Sequence, residues 1–165
     1  MPKHLSNKAV LIIILVGSAL VWIPILLNIT GPKEVATAEQ VRIAILEAGY
    51  QPVDATELYA EDMPGLIQCI AFEKDDVYFN FYIFNDKSSA RDLFRHISSY
   101  IYINFYNYPY AEHESYQSNY HIYTLTAKER YLVNIYVGNT AVYAYCDEGN
   151  EQGICDVLRT IGYFD

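Results

Sequence analysis

The residues VYFNFYIF, at positions 77–84, give the clearest indication of the fold class of this chain. One set of alternate positions is wholly apolar, and the other set combines two tyrosines with Asn80. Such alternation predicts a β-strand with one face in a core. The β run before it, residues 66–73, is separated from it only by Lys74-Asp75-Asp76. Because Asp is favoured in tight turns, the two runs are predicted to form a hairpin.

Three more β runs are predicted in the C-terminal half, at residues 120–127, 130–137 and 140–146. They are rich in Val, Ile, Tyr and Thr, the residue types that are enriched in strands. Gly138-Asn139 separates the last two runs, and a two-residue connection that contains glycine is typical of a tight hairpin turn. The sequence therefore predicts five antiparallel strands.

The first of three predicted helices begins after the proposed membrane segment. Thr37 is its N-cap, and Gln40 occupies the capping-box position three residues later. Gly49 ends the helix as a left-handed cap, and Tyr50 supplies the apolar residue that often follows such a cap. Both ends of this helix are therefore predicted from local residues alone.

The other two helices are predicted from apolar residues at helical spacing. One follows a capping segment at residues 85–89 and extends to residue 102 or 105, although its last part, YIYINFY, has strand propensity of its own. The other spans residues 151–161 and is followed by Gly162-Tyr163. The two polar segments 51–65 and 107–119 are predicted as loops, the first with at most a short strand or turn.

The predicted order of elements is α-ββ-α-βββ-α. Hairpins flanked by helices are typical of α+β domains, in which helices lie on one face of an antiparallel sheet. We therefore expect a two-layer sandwich that has about five strands and carries its helices on one face.

Residues 9–29, AVLIIILVGSALVWIPILLNI, form a continuous apolar run without charge. A helix of that length is about 31 Å long, close to the hydrocarbon thickness of a bilayer. The run is too long for a secretory signal peptide, and the A-x-A pattern that ends at Ala38 lies well beyond it. We therefore expect an uncleaved signal anchor, with cleavage after Ala38 as the alternative.

Charges on the two sides of this run predict its orientation. Lys3 and Lys8 precede it, whereas Lys33 alone follows closely, and cationic residues are retained on the cytoplasmic side. The chain is therefore predicted to be a single-pass protein of the cell membrane with its N-terminus in the cytoplasm. Its predicted parts are a cytoplasmic stub at residues 1–8, the transmembrane anchor at 9–29, a linker at 30–36 and an extracytoplasmic domain at 37–165.

The part of the chain from residue 33 onward is acidic. It contains nine Lys and Arg residues against all twenty Asp and Glu residues, a net charge of −11. Nucleic-acid-binding proteins and proteins that bind anionic lipid headgroups carry basic surfaces instead. We therefore predict no nucleic-acid partner, and the expected contact with the membrane is through residues 9–29.

The three cysteines are Cys69, Cys146 and Cys155, and an odd number outside the cytoplasm leaves at least one thiol unpaired. Cys69 lies in an apolar strand and is predicted to be a small core residue. Cys146 and Cys155 are close enough in sequence for a disulfide, so a bridge and two free thiols are both open alternatives. No paired cysteines or histidines at ligand spacing accompany them, so no metal site is predicted.

Tyrosine is unusually abundant: the chain contains 17, and eight of them lie between Tyr100 and Tyr123. Tyrosine suits half-exposed sheet faces, because it packs with one end in water. A tyrosine-rich surface also stacks on sugar rings or peptide side chains. Loops carry binding more often than strands do, so the tyrosines just before and within the second predicted loop are the candidate binding residues. These are Tyr106, Tyr108, Tyr110 and Tyr116.

Catalytic signatures do not occur in this sequence. There is no GxSxG, SxxK or glycine-rich phosphate loop, and no HExxH pattern accompanies the histidines. Glu112-His113-Glu114 is interpreted as part of a solvated polar loop. We therefore predict a non-enzymatic chain without catalytic residues and without a cofactor.

Two stretches, VYFNFYIFNDKSSARDLF and the later RYLVNIYVGNTAVYAY, resemble small membrane-anchored or lipoprotein-type domains of Gram-positive bacteria. The similar residues are packing and turn residues. The resemblance implies an α+β fold and an extracytoplasmic location, and it implies neither an activity nor site residues.

These observations favour a membrane-anchored extracytoplasmic domain that serves as a non-catalytic interaction or ligand-binding module. Its expected partner is an envelope protein or a glycan. The alternatives are a small cell-envelope enzyme and an accessory or immunity-type subunit that acts through its membrane helix. The sequence predicts no specific ligand and no oligomeric state.

Overall fold

The computed structural model describes residues 31–165. The predicted stub at 1–8 and anchor at 9–29 lie outside this range. Within residues 31–165, no helix combines the length and apolar character needed to cross a membrane. The unit that carries the described core comprises residues Lys33–Asp165.

Four helices and seven strands make up the described part of the chain. The helices are α1 (Ala38–Glu47), α2 (Thr56–Tyr59), α3 (Lys87–Phe105) and α4 (Gln152–Thr160). The strands are β1 (Val53–Asp54), β2 (Leu66–Lys74), β3 (Val77–Phe84), β4 (Tyr110–Gln117), β5 (Tyr120–Ala127), β6 (Arg130–Val137) and β7 (Thr140–Asp147).

The strands form one antiparallel sheet in the order β1-β2-β3-β7-β6-β5-β4. The α+β class is confirmed, but the sheet has seven strands and the expected number of five is wrong. The two additional strands are the short β1 and the eight-residue β4, which lie in the segments predicted as loops. Almost every residue of β4 is exposed, so the sequence of this segment shows no apolar alternation that would predict a strand. The segment is a strand because it pairs with β5.

Helices cover both faces of the sheet, so the expected two-layer sandwich with helices on one face is wrong. On one face, called the α1/α4 face, α1 and α4 pack over residues such as Phe79, Phe81 and Val142. On the other, called the α3 face, α3 packs over residues such as Tyr82 and Tyr136. The tyrosine positions of the strands were expected on a half-exposed face, but Tyr82 and Tyr136 are buried. Tyrosine fills such positions when its hydroxyl group finds a buried partner.

A buried amide holds α3 against the sheet. Asn134 of β6 is fully buried, and its Nδ2 donates to the carbonyl oxygen of Phe94 and to Oγ of Ser98, each at 2.9 Å. Ile97 and Ile101 pack on the same side of the helix against Leu125 and other apolar residues of the sheet. The remaining side of α3 therefore faces away from the sheet.

The predicted helix ends are confirmed. At α1, the backbone N–H of Gln40 donates to Oγ1 of Thr37 at 3.3 Å, and the backbone N–H of Thr37 donates to Oε1 of Gln40 at 2.8 Å. At α3, the N-cap is Asp86, which accepts from the backbone N–H of Ser89 at 2.9 Å. A hydrogen bond from the side chain of Ser88, together with the bonds from Ser89, holds the pKa of Asp86 well below its usual range, at about 2. The helix continues to Phe105, so the YIYINFY segment stays helical.

Candidate functional site

An open groove of about 620 Å³ lies between α3 and the hairpin formed by β4 and β5. Its walls are Phe94, Ser98, Ser99, Tyr102, Ile103, Glu114, His121 and Tyr123. A second depression of about 250 Å³ shares Tyr102 and Tyr123 with it and adds Tyr106, Tyr110 and Glu112. We call the two together the α3–β4 groove.

The strand wall of the groove follows from the alternation along β4. Its sequence YAEHESYQ places Tyr110, Glu112, Glu114 and Tyr116 on one side. In the antiparallel register, Glu114 lies opposite Tyr123 of β5, whose side chain packs on the α3 face. These four side chains therefore lie on the face of the sheet that α3 covers only in part.

The helix wall is aromatic and apolar. Tyr102 and Ile103 are 60% and 74% exposed, and the rings of Tyr102 and Tyr106 lie 4.5 Å apart between centroids. Exposed apolar residues are ordinary when they are scattered singly, whereas a contiguous set beside a groove is typical of an interaction site.

Two carboxylates of the strand wall are held in place by neighbours. Oε1 of Glu114 lies 2.6 Å from Nε2 of His121, and the hydroxyl group of Tyr123 donates to Oε2 of Glu112 at 3.2 Å. Burial, together with the nearby Glu112 carboxylate, raises the pKa of Tyr123 to about 12, so this hydroxyl stays a donor at neutral pH. Among residues 31–165, neither glutamate forms an ion pair with Lys or Arg. The groove is therefore aromatic and acidic.

The four predicted binding tyrosines do not form one cluster. Tyr106 and Tyr110 line the smaller depression, and Tyr116 lies at the opposite end with its ring 5.5 Å from that of His121. Tyr108 packs instead on Lys128, whose Nζ lies 3.7 Å from the ring centroid. The assignment of this segment to a loop is wrong for Tyr110 and Tyr116, which lie in β4. Their binding role stays a prediction.

Several other residues of the groove were not predicted as binding residues, among them Tyr102, Ile103, Glu112, Glu114, His121 and Tyr123. The available signal was the pattern Tyr-x-Glu-x-Glu-x-Tyr in residues 110–116. This pattern has period two and indicates a shared face only once the segment is known to be a strand.

A second tyrosine cluster lies on the α3 face near α2, in which Asn80 and Tyr82 are buried and Tyr59 and Tyr78 are partly buried. Nδ2 of Asn80 lies 2.8, 2.6 and 2.7 Å from the hydroxyl oxygens of Tyr59, Tyr78 and Tyr82. The hydroxyl groups of Tyr59 and Tyr78 are themselves 2.8 Å apart. Burial raises the pKa of both Tyr78 and Tyr82, so these hydroxyl groups remain protonated. Because Asn80 is only 1% exposed, we assign this cluster to packing rather than to binding.

All three cysteines carry free thiols in the structure. Cys69 and Cys146 are fully buried, whereas Cys155 is partly exposed and has its Sγ 4.0 Å from the hydroxyl oxygen of Tyr131. The role of Cys69 as a core residue is confirmed. The Cys146–Cys155 disulfide is not formed in the structure and stays a prediction for the protein in an oxidising envelope.

The thiols are expected to differ strongly in reactivity. Burial raises the pKa of all three thiols, to about 12 for Cys69 and Cys146, which lowers the thiolate fraction of those two about a thousandfold. Cys69 and Cys146 are also fully buried, whereas Cys155 is partly exposed to the reagent. We expect Ellman's reagent at pH 8 to react with Cys155 at least a hundredfold faster than with the other two. For protein that has been reduced and then freed of the reductant, unfolding in guanidinium should bring the total to three equivalents of released thionitrobenzoate.

The Cys155→Ser variant is the control, since it should remove the native reaction and leave two equivalents after unfolding. Rapid reaction of two thiols in the folded chain would contradict the burial of Cys69 and Cys146. One equivalent after unfolding of non-reduced protein would show that two of the three thiols form a disulfide.

Within residues 31–165, no group of three or more His, Cys, Asp and Glu side chains is arranged to hold a metal ion. No protein-family model matches this chain, and no curated protein matches it.

Two solved structures are similar in fold. One is a GTP-binding regulator from Thermotoga maritima, with 13% identity and a TM-score of 0.49 over 81% of this chain and 93% of that chain. The other is the extracellular domain of PknH from Mycobacterium tuberculosis, with 10% identity and a TM-score of 0.40 over 77% of this chain and 90% of that chain. Identities and TM-scores this low indicate no function for this chain.

Proposed function

We propose that this chain is a single-pass, membrane-anchored extracytoplasmic domain that acts as a non-catalytic binding module, with the α3–β4 groove as its binding site. The observation that carries this proposal is the exposed aromatic and apolar wall of α3 facing the acidic strand wall of β4. The volume of about 620 Å³ lies in the range usual for ligand sites.

The membrane anchor in this proposal rests on the sequence. Residues 9–29 are long enough and apolar enough to span a bilayer, and Lys3 and Lys8 precede them. An anchored binding domain encounters partners of the cell envelope, so an envelope protein or a glycan is the proposed partner class. Ring faces and carboxylates together suit a partner that combines apolar or sugar surfaces with cationic or hydroxyl groups.

Site-specific photo-crosslinking in intact cells tests the groove. A benzophenone amino acid in place of Ile103 in the full-length chain should give a discrete adduct, because this side chain is exposed beside the groove. The matched control is Leu46 of α1, which is 51% exposed on the α1/α4 face. We expect at least fivefold more adduct from position 103 and loss of that adduct when Tyr102→Ala is added. Equal labelling from both positions would overturn the proposal.

The accessory-subunit alternative is tested by exchanging the anchor. Replacing residues 9–29 with an unrelated transmembrane helix should leave the adduct at position 103 unchanged if the groove is the binding site. Loss of the adduct would favour a subunit that acts through its membrane helix.

One observation favours the enzyme alternative, which is the contact between Glu114 and His121. A carboxylate that bonds an imidazole orients it as a general base. The groove also contains Ser98, but Oγ of Ser98 accepts from Asn134, and His121 bonds to neither serine of the groove in the described part of the chain. Turnover of an envelope substrate that is abolished by His121→Gln would establish the enzyme alternative.

A further inference from the structure

Strand β4 forms a long, open edge of the sheet. Within residues 31–165 it pairs only with β5, and seven of its eight residues are exposed. The opposite edge strand, β1, has only two residues. Edge strands are usually protected against further pairing by charged side chains, proline, a bulge or a short length, and the carboxylates of this edge are those of Glu112 and Glu114. Residues 110–117 contain no proline, no glycine and no lysine, and their pairing with β5 is regular over all eight positions.

The side chains of this edge determine which partner strands can pair with it. On the groove side the order is Tyr110, Glu112, Glu114 and Tyr116, with two adjacent carboxylates between two aromatic rings. A strand added at this edge would place its own side chains directly opposite these four, because paired residues share a face. The pattern is the same in both directions, so it suits a parallel or an antiparallel partner.

A second copy of β4 fits this edge poorly. Two copies that pair around a twofold axis centred at His113 place Glu112 of each copy opposite Glu114 of the other. Centring the pair at Glu112 or at Glu114 places that glutamate opposite itself. Like charges directly opposite each other destabilise a strand pair. The two registers of longest overlap, centred at His113 and at Glu114, therefore disfavour self-pairing, and the edge favours a strand with cationic residues at two successive positions of the same face.

We infer that β4 is the docking edge for an extended cationic polypeptide segment, which adds to the sheet as an eighth strand. Its Lys or Arg side chains, two residues apart, face Glu112 and Glu114, and flanking apolar residues of the same face pack on Tyr110 and Tyr116. This inference rests on the proposed function, since it names the partner class of the same groove. Strand addition supplies affinity through main-chain hydrogen bonds, and the alternate side chains supply specificity.

Two peptides of identical composition test whether the cationic side chains must lie on the same face of the added strand as the apolar side chains. In TVTKTKTVT the lysines and valines share one face, whereas in TVKTTTKVT the lysines lie on the other face. We expect the full-length chain in uncharged detergent micelles to bind the fluorescein-labelled first peptide at least tenfold more tightly than the second. Hydrogen exchange should slow in residues 110–117 with the first peptide only. Equal affinities or unchanged exchange would overturn the inference.

A reciprocal charge exchange tests the two glutamates. The double variant Glu112→Lys/Glu114→Lys should lose at least tenfold in affinity for TVTKTKTVT and should prefer TVTETETVT. The matched control is Glu47→Lys/Glu148→Lys, which changes the net charge equally at exposed positions away from β4. If the control variant loses as much affinity, the attraction is a general charge effect and the inference is overturned.

The photo-crosslinking experiment separates this inference from the proposed function. An adduct at position 103 whose added mass remains on the labelled peptide after protease digestion and is removed by glycosidase would show a glycan in the groove. That result would overturn the cationic strand and leave the groove as a binding site. Slowed exchange in residues 110–117 that depends on chain concentration alone would show a second copy at the edge, and it would overturn the inference too.

Discussion

Replacing Tyr163 by alanine is expected to lower the free energy of unfolding by about 3–5 kcal/mol, the usual cost of deleting a large buried aromatic side chain. Tyr163 follows α4, is fully buried and has its ring centroid 6.1 Å from that of Phe81 in the sheet. Its loss leaves a cavity in the core of the α1/α4 face, because the surrounding side chains can collapse only in part.

The hydroxyl group of Tyr163 contributes a separate part of this effect. Oγ1 of Thr140 donates to the carbonyl oxygen of Val137 at 2.8 Å, so it accepts from the Tyr163 hydroxyl, which lies 2.6 Å away. The Tyr163 oxygen in turn accepts from the backbone N–H of Ala36 at 3.2 Å. Tyr163→Phe leaves that buried N–H without its partner and should cost about 1–2 kcal/mol.

Urea unfolding of the full-length chain in uncharged detergent micelles, followed by circular dichroism, measures both effects. Tyr163→Ala should also lower the Tm by about 10–20 °C. The control is Tyr116→Ala, which removes an exposed ring of β4 and should change stability by less than about 0.5 kcal/mol. A Tyr163→Ala variant as stable as this control would contradict the assigned core.

Asn80→Ala is expected to lower the free energy of unfolding by about 2–3 kcal/mol, because it removes the centre of a buried hydrogen-bond network. The amide nitrogen has two hydrogens and three hydroxyl neighbours, so it donates to two of them at a time. Tyr59 and Tyr78 can still bond to each other after the substitution. Tyr82 is 3% exposed and would lose the amide that its hydroxyl contacts.

A double-mutant cycle measures this coupling. Adding Tyr82→Phe to Asn80→Ala should recover about 1 kcal/mol, because the unpaired buried hydroxyl group is then removed as well. Tyr82→Phe alone should be destabilising, since it leaves the amide with one acceptor fewer. Additive effects of the two substitutions in urea unfolding would contradict a shared network.

Elements whose ends are set by neighbouring residues were predictable from the sequence, and elements that need a distant partner were not. The N-cap at Thr37, the C-cap at Gly49 and the β2–β3 hairpin around Asp75 depend on neighbours within a few residues, and all three were predictable. Strand β4 was not, because its exposed residues show no apolar alternation and its partner groups belong to β5. The groove was therefore not predicted. Two of its residues, Tyr106 and Tyr110, were predicted as binding residues, but only because they were assigned to a loop region.

Composition and local periodicity were enough to predict the α+β class, most helix and strand segments, the acidic character and the apolar run at residues 9–29. The helices on both faces of the sheet, and the position of Glu112 and Glu114 on the side of α3, became evident only in the folded chain. Burial of the tyrosine face depends on where α3 packs, and the β4 edge depends on pairing with β5. Neither is a property of a segment alone.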